Sequence, residues 1–338
     1  VKFINEYLLS NLLIENGEKK DEIASKLWFH FPLISGKRIS NILLPFKFLY
    51  KKFVVLLIIL AVVFLQLYFL KLGCYSINKS ISIYNINSIN IIVIVFISFF
   101  VHELGHVVAA LYYKIPVGDM GIGLYLFRPV FYTDLSNAWK LDRRKRVVTD
   151  LGGIYFQIIS ILILSIFMFF YNTVTLRLSI LLIMISVVGN INPVLRFDGY
   201  WVITDFLGIV NIDKRAIEVI KSLMINLIKN REIKLEINIE FKKGLRTFFY
   251  LYVFLYIVFT IGMVALGFYI AIKSICNINT FITSFELIYE SIYNKDLGMF
   301  ISRVNNSLII LLPLLYIILF LGRFIKSLFK IKIVKLNK

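Results

Sequence analysis

An all-α, polytopic integral membrane fold is predicted by three features of the sequence: an apolar excess, apolar runs of bilayer length, and basic charge that alternates between the intervening loops. Of the 338 residues, 59% are hydrophobic, against roughly 45–50% in an ordinary soluble domain; mean hydropathy is +0.83. Lipid has to solvate that excess. About six runs approach or exceed the roughly 20 helical residues that cross a hydrocarbon core: 53–70, 89–113, 151–171, 178–197, 247–272 and 307–322. The last is short and could borrow from Val304 or from the snorkelling Arg323 and Lys326.

The formal charge of +18 would suggest nucleic acid if the basic residues formed one soluble surface, but here they follow the spans. Segments 1–52, 114–150, 198–246 and 323–338 hold nine, seven, nine and six Lys and Arg, whereas 71–88, 172–177 and 273–306 hold two, one and three. This alternation predicts both termini in the cytoplasm of a plasma membrane, with lipid rather than nucleic acid as the partner. Residues 1–52 form a cytoplasmic N-terminal segment without the apolar stretch and cleavage site of a secretory signal. Residues 53–338 form the polytopic domain. The N-terminal segment shows no readable motif, and His30 beside aromatics reads as packing.

Within 114–150, Gly118, Gly121 and Gly123 precede GLYLFRPVFYTD, whose composition favours a short re-entrant β-hairpin. It reads either as an edge for an extended substrate or as a structural cover over the helices. Arg143, Arg144, Lys145 and Arg146 follow and are expected at the lipid headgroups. In 198–246, Ile217, Ile220, Met224, Leu227 and Ile228 share one helical face, with Lys214, Lys221 and Lys229 elsewhere, as in a helix lying on the inner leaflet. Cys74 and Cys276 both fall in predicted outer loops, away from the chemistry below; the sequence does not decide whether they pair.

Ionisable residues in a bilayer are costly, so their placement is informative. Four of the six runs contain none; the second holds His102, Glu103 and His106, and the fourth ends with Arg196 and Asp198. The second reads FFVHELGHVVAA. His102 and His106 lie one turn apart on one helical face and can share an ion, while Glu103 projects from the adjacent face towards a water on it. Zinc with three protein ligands keeps a fourth position for water and lowers its pKa to about 7, within reach of a carboxylate base.

Two histidines leave a ligand missing. The fourth run continues VVGNINPVLRFDGYWVITDFLG, where Asn192 and Pro193 should break the helix and Asp198 follows in a turn. Asp198 is a natural third ligand, with Asp134, Asp150 and Asp205 as competitors on spacing alone. Asp198 looks shallower than His106, a mismatch removed if the broken span resumes through Trp201, Val202, Phe206 and Leu207. Asn192 and Asn190 are candidates to donate to an oxyanion or orient a peptide, against plain hydrogen bonding at the helix break.

HELGH at 102–106 with NPVLRFDG at 192–199 resembles the site-2 protease family of intramembrane zinc metalloproteases, over a catalytic core of about 89–209. PVFYTDLSNAW, RRKR and LGGIYFQ are most similar to its bacterial peptide zinc metalloprotease branch. The resemblance implies a zinc endopeptidase with His102, His106 and Asp198 as ligands and Glu103 as base, acting on a membrane-inserted protein or peptide near the cytoplasmic face. Two departures stand out: Gln157 occupies a position where many relatives carry Asn, and no outer loop is long enough for a PDZ domain. A metal or peptide transporter, or a non-catalytic binding or immunity protein, could use the same His and Asp groups. Oligomeric state is left open.

Overall fold

A computed structural model describes residues 29–75, 88–125, 128–228 and 244–276, with the single positions 293 and 322. The predicted run 307–322 lies outside these, save Gly322, as does most of the outer loop 273–306. The chain divides into two units, Val1–Gly208 and Ile209–Lys338.

In the first unit, strand β1 (His30–Ile34) leads into helix α1 (Gly36–Leu43) and a 3-10 turn, Leu44–Tyr50. Helices α2 (Lys52–Lys71) and α3 (Ser88–Tyr112) follow, then β2 (Met120–Tyr125) and β3 (Arg128–Thr133). The unit ends with α4 (Arg143–Asp150), α5 (Gly152–Phe170), α6 (Val174–Ile191) and α7 (Asp198–Leu207). In the second unit, α8 (Ile212–Ile228) packs on α9 (Leu245–Cys276). Five helices among the described residues are long and apolar enough to cross a membrane, and each overlaps one of the first five predicted runs.

Helix α3 is the hub. It packs against α5, α6, the 3-10 turn and β3, and Val107 to Ala110 just after HELGH are fully buried. Its approach to α5 is set by Gly105 and Gly152, because a Cβ at either would meet the other's carbonyl. Tyr50 fastens the same crossing: its hydroxyl donates to the Gly105 carbonyl at 2.9 Å and reaches the Gly152 carbonyl at 3.4 Å. Burial, reinforced by the neighbouring Tyr155 and Tyr113, pushes the Tyr50 phenol well above its usual pKa, so it remains a donor. Helix α2 is peripheral, with Phe53, Leu60 and Phe64 among its exposed apolar side chains.

The expected hairpin is present, but as part of a three-stranded antiparallel sheet ordered β1-β2-β3. Phe31 pairs with Ile122 and Ile122 with Phe131, so the three side chains share one face. That face meets α3, where Phe131 lies 4.8 Å from Phe96 and 5.3 Å from Phe100 between ring centroids. The N-terminal segment read as lacking a motif thus contributes a strand and the Tyr50 fastening.

The boundary expected at residue 197 is wrong. Helix α6 stops at Ile191, since Asn192 leaves the helical conformation and Pro193 has no N–H for the ladder. The Asn192 Oδ1 accepts from the backbone N–H of Val194 at 2.8 Å and Leu195 at 3.4 Å. A new helix, α7, begins at Asp198 and passes through Trp201, Val202, Phe206 and Leu207. It ends where Gly208 adopts φ +69° and donates to the Thr204 carbonyl at 2.8 Å. Gly199 is required because a Cβ there would strike the Ile191 carbonyl. The helix expected in 198–246 is α8, with Ala216 and Ile217 buried and Lys214 and Arg215 exposed.

Candidate metal centre

Helix α3 supplies two imidazoles from one face, and the start of α7 brings a carboxylate against them. His102 Nε2 and His106 Nε2 are 3.2 Å apart. Asp198 Oδ2 lies 3.1 Å from the former and 3.6 Å from the latter. Both histidines are more than nine-tenths buried. Among the described residues this is the one group of three or more such side chains whose ligand atoms converge closely enough to hold a metal ion.

The donor set fits zinc. In a tetrahedral site with bonds of roughly 2.0–2.1 Å, ligand atoms stand about 3.3 Å apart, and the three observed separations bracket that value. The His106 Nδ1 donates to the Thr149 carbonyl at 2.8 Å. This bond fixes the tautomer that leaves a lone pair on Nε2. Asp198 Oδ2 is buried and makes no hydrogen bond despite its neighbours. Two ring nitrogens and a carboxylate oxygen therefore converge on one small buried space, an arrangement that a cation stabilises. Gly153 keeps the space open, since a Cβ there would run into Nε2 of both histidines.

Glu103 stands next to this group, its carboxylate interacting with His106, His102 and Asp198. Thr133 at the end of β3 lies beside it, and the buried Thr133 hydroxyl has no hydrogen-bond partner among the described residues. The structure thus gathers His102, Glu103, His106 and Asp198.

The remaining candidates are distributed differently. Asn190 donates to Gln157 Oε1 at 3.2 Å, and the fully buried Gln157 donates onward to Ser186 Oγ at 3.3 Å. Gln157 therefore supports Asn190 where the sequence left its role in doubt. Asn192 makes the helix-break hydrogen bonds described above, which leaves its NH₂ as its donor group. Asp134 accepts from the Ser136 N–H in the turn after β3, and Asp205 is paired with Arg146. Asp150 lies beside Asp205. His30 lies edge-on to Tyr132 at 6.2 Å, in the sheet.

Sequence reasoning missed Thr149, Gly153 and Thr133. Thr149 acts through its carbonyl, which no residue type reveals. The GG pair facing HELGH was the available signal for Gly153.

The chain is 29% identical over 123 residues to the Bacillus subtilis (strain 168) protein named "Putative peptide zinc metalloprotease protein YydH". This likeness bears out the resemblance to the peptide zinc metalloproteases. The match covers 35% of this chain and 48% of that relative, so about half of the relative's length has a counterpart here. No family model and no solved structure matches the chain.

Proposed function

We propose that the chain is an intramembrane zinc metalloprotease that hydrolyses a peptide bond in a membrane-inserted protein or small peptide near the cytoplasmic face. The supporting observation is the convergence of His102 Nε2, His106 Nε2 and Asp198 Oδ2 to within 3.1–3.6 Å beside Glu103. Four of the five candidate spans belong to the unit that carries this group, and the relative's name supplies peptide and zinc as the chemical class.

His102, His106 and Asp198 would hold the zinc, which when bound supplies a Lewis acid for a carbonyl oxygen and a water. Glu103 takes the proton from the attacking water and delivers it to the departing amine nitrogen. The Thr133 hydroxyl beside Glu103, unpartnered among the described residues, would donate to its carboxylate and hold it towards the site. Asn192, through its NH₂, and Asn190, through the N–H not given to Gln157, are candidate donors to the peptide carbonyl.

The sheet is read as re-entrant. Phe131, in one row with Phe31 and Ile122, meets α3 at Phe96 and Phe100, within the candidate span Ile89–Tyr112. Its outer strand β3 ends at Thr133 beside Glu103, so a substrate peptide pairing along β3 would be led to the base. The alternation of loop charges supports a cytoplasmic side for this face and for both termini at a bacterial plasma membrane.

The test compares membranes carrying the wild-type and Glu103→Gln chains. A peptide that accumulates only with the variant, while purified variant keeps its zinc, identifies both activity and substrate. Equal peptide profiles with zinc retained in both would favour transport or binding and overturn the proteolytic reading.

A further inference from the structure

We propose that Arg146 and Asp205 are positioning residues for the metal ligand Asp198, a role that rests on the metal-centre reading above. The sequence placed the RRKR cluster at the lipid headgroups. Arg146 behaves otherwise: only 16% of its side chain is exposed, against 49% for Lys145 beside it. Its Nε donates to Asp205 Oδ1 at 2.9 Å, and a terminal nitrogen lies 2.8 Å from the same oxygen. The other terminal nitrogen donates to the Leu141 carbonyl at 3.0 Å, and the guanidinium lies over the Trp139 ring at 5.1 Å. The group is held from several sides, unlike a mobile headgroup contact.

Helical geometry carries this pairing to the metal centre. Asp205 and Asp198 are seven residues apart on α7, two turns of roughly 3.6 residues each, so they share a face about 10 Å apart along the axis. Arg146 and Thr149 are three residues apart on α4 and also share a face. The α4–α7 contact therefore aligns two pairs: Arg146 with Asp205, and Thr149, which orients His106, near Asp198, which faces that imidazole. A second contact limits sliding, since a Cβ at Gly208, just past the end of α7, would strike the Arg143 guanidinium. Arg143 and Arg146 thus clasp α7 at its C-terminal half. Rotation of α7 by one residue, about 100°, would carry Asp198 away from the imidazoles. The pairing with Arg146 opposes that rotation.

The test measures Co²⁺ affinity of the full chain in detergent micelles, by chelator competition and by visible absorption, which reports ligand geometry. Asp205→Asn keeps the volume and an acceptor oxygen but removes the charge. It should weaken Co²⁺ binding by about 10-fold, the lower end of what loss of a direct partner of a ligand costs, and alter the absorption bands. In an Asp198→Ala background the same substitution should cost nothing further, because its route to the metal is gone. Arg146→Gln should weaken binding comparably, and Arg146→Lys should recover only part of that loss, because an ammonium keeps the charge but not the fork or the stacking on Trp139.

Wild-type affinity in Asp205→Asn, an undiminished further loss in the Asp198→Ala background, or wild-type affinity in Arg146→Gln would each overturn the proposal. Failure of the metal centre itself has a different signature: His102→Ala would leave wild-type Co²⁺ affinity unchanged.

Discussion

Gly153 shows how much at this site depends on what a residue lacks. Its missing side chain leaves room beside the two Nε2 atoms. Gly153→Ala should therefore abolish or sharply reduce zinc content, read by elemental analysis of purified protein, while far-UV circular dichroism stays that of wild type. Full zinc occupancy in the alanine variant would show that the space is not needed. Thr133 gives a complementary prediction. Thr133→Val removes the hydroxyl, unpartnered among the described residues, that would donate to the Glu103 carboxylate; a hydrogen bond to a charged group is worth roughly 1.5–3 kcal/mol, so peptide cleavage should slow by about 10- to 100-fold with zinc retained. Unchanged cleavage would mean that the Glu103 carboxylate is held by something else. His102, Glu103, His106 and Asp198 were legible because their residue types and spacing state a chemistry. Thr149 was not, because it uses a carbonyl that every residue possesses.

The helices were legible where lipid dictates their composition, and less so where one part of the chain answers a distant part. Hydropathy placed α2, α3, α5, α6 and α9, and Pro193 marked the break between α6 and α7. Apolar content alone ran the fourth span to residue 197, because Val194, Leu195 and Phe197 continue it in composition but not in conformation. Strand β1 escaped notice since its partner lies far along the chain: Phe31 meets Ile122, and five residues of HFPLI carry no alternation that requires a strand. The 3-10 turn before α2 was equally silent, although Tyr50 on it fastens α3 to α5. Tyr50→Phe keeps the ring contacts and removes only the hydroxyl. It should lower stability by about 0.5–1.5 kcal/mol, measured as an earlier unfolding midpoint on titration with a denaturing detergent. An unchanged midpoint would assign the fastening of α3 to glycine packing alone.

Across the molecule, the ligands come from two helices that touch only once the chain has folded. His102 and His106 sit on α3, whereas Asp198 opens α7 beyond three intervening helices and a β-hairpin. In an unfolded chain Asp198 is not held near the histidine pair, so zinc should bind the folded state preferentially and stabilise it by mass action. At free zinc about 100-fold above its dissociation constant the gain should be roughly 2.7 kcal/mol. Thermal unfolding in micelles, with and without zinc, should show a clear rise in midpoint for wild type. The rise should be absent in His102→Ala and Asp198→Ala, each of which removes one corner of the triangle. It should persist in Glu103→Gln, where the ligand set is intact and only the base is lost. A zinc-induced rise of equal size in Asp198→Ala would mean that the histidine pair binds zinc without α7, and the convergence of the two helices would then serve something other than the metal.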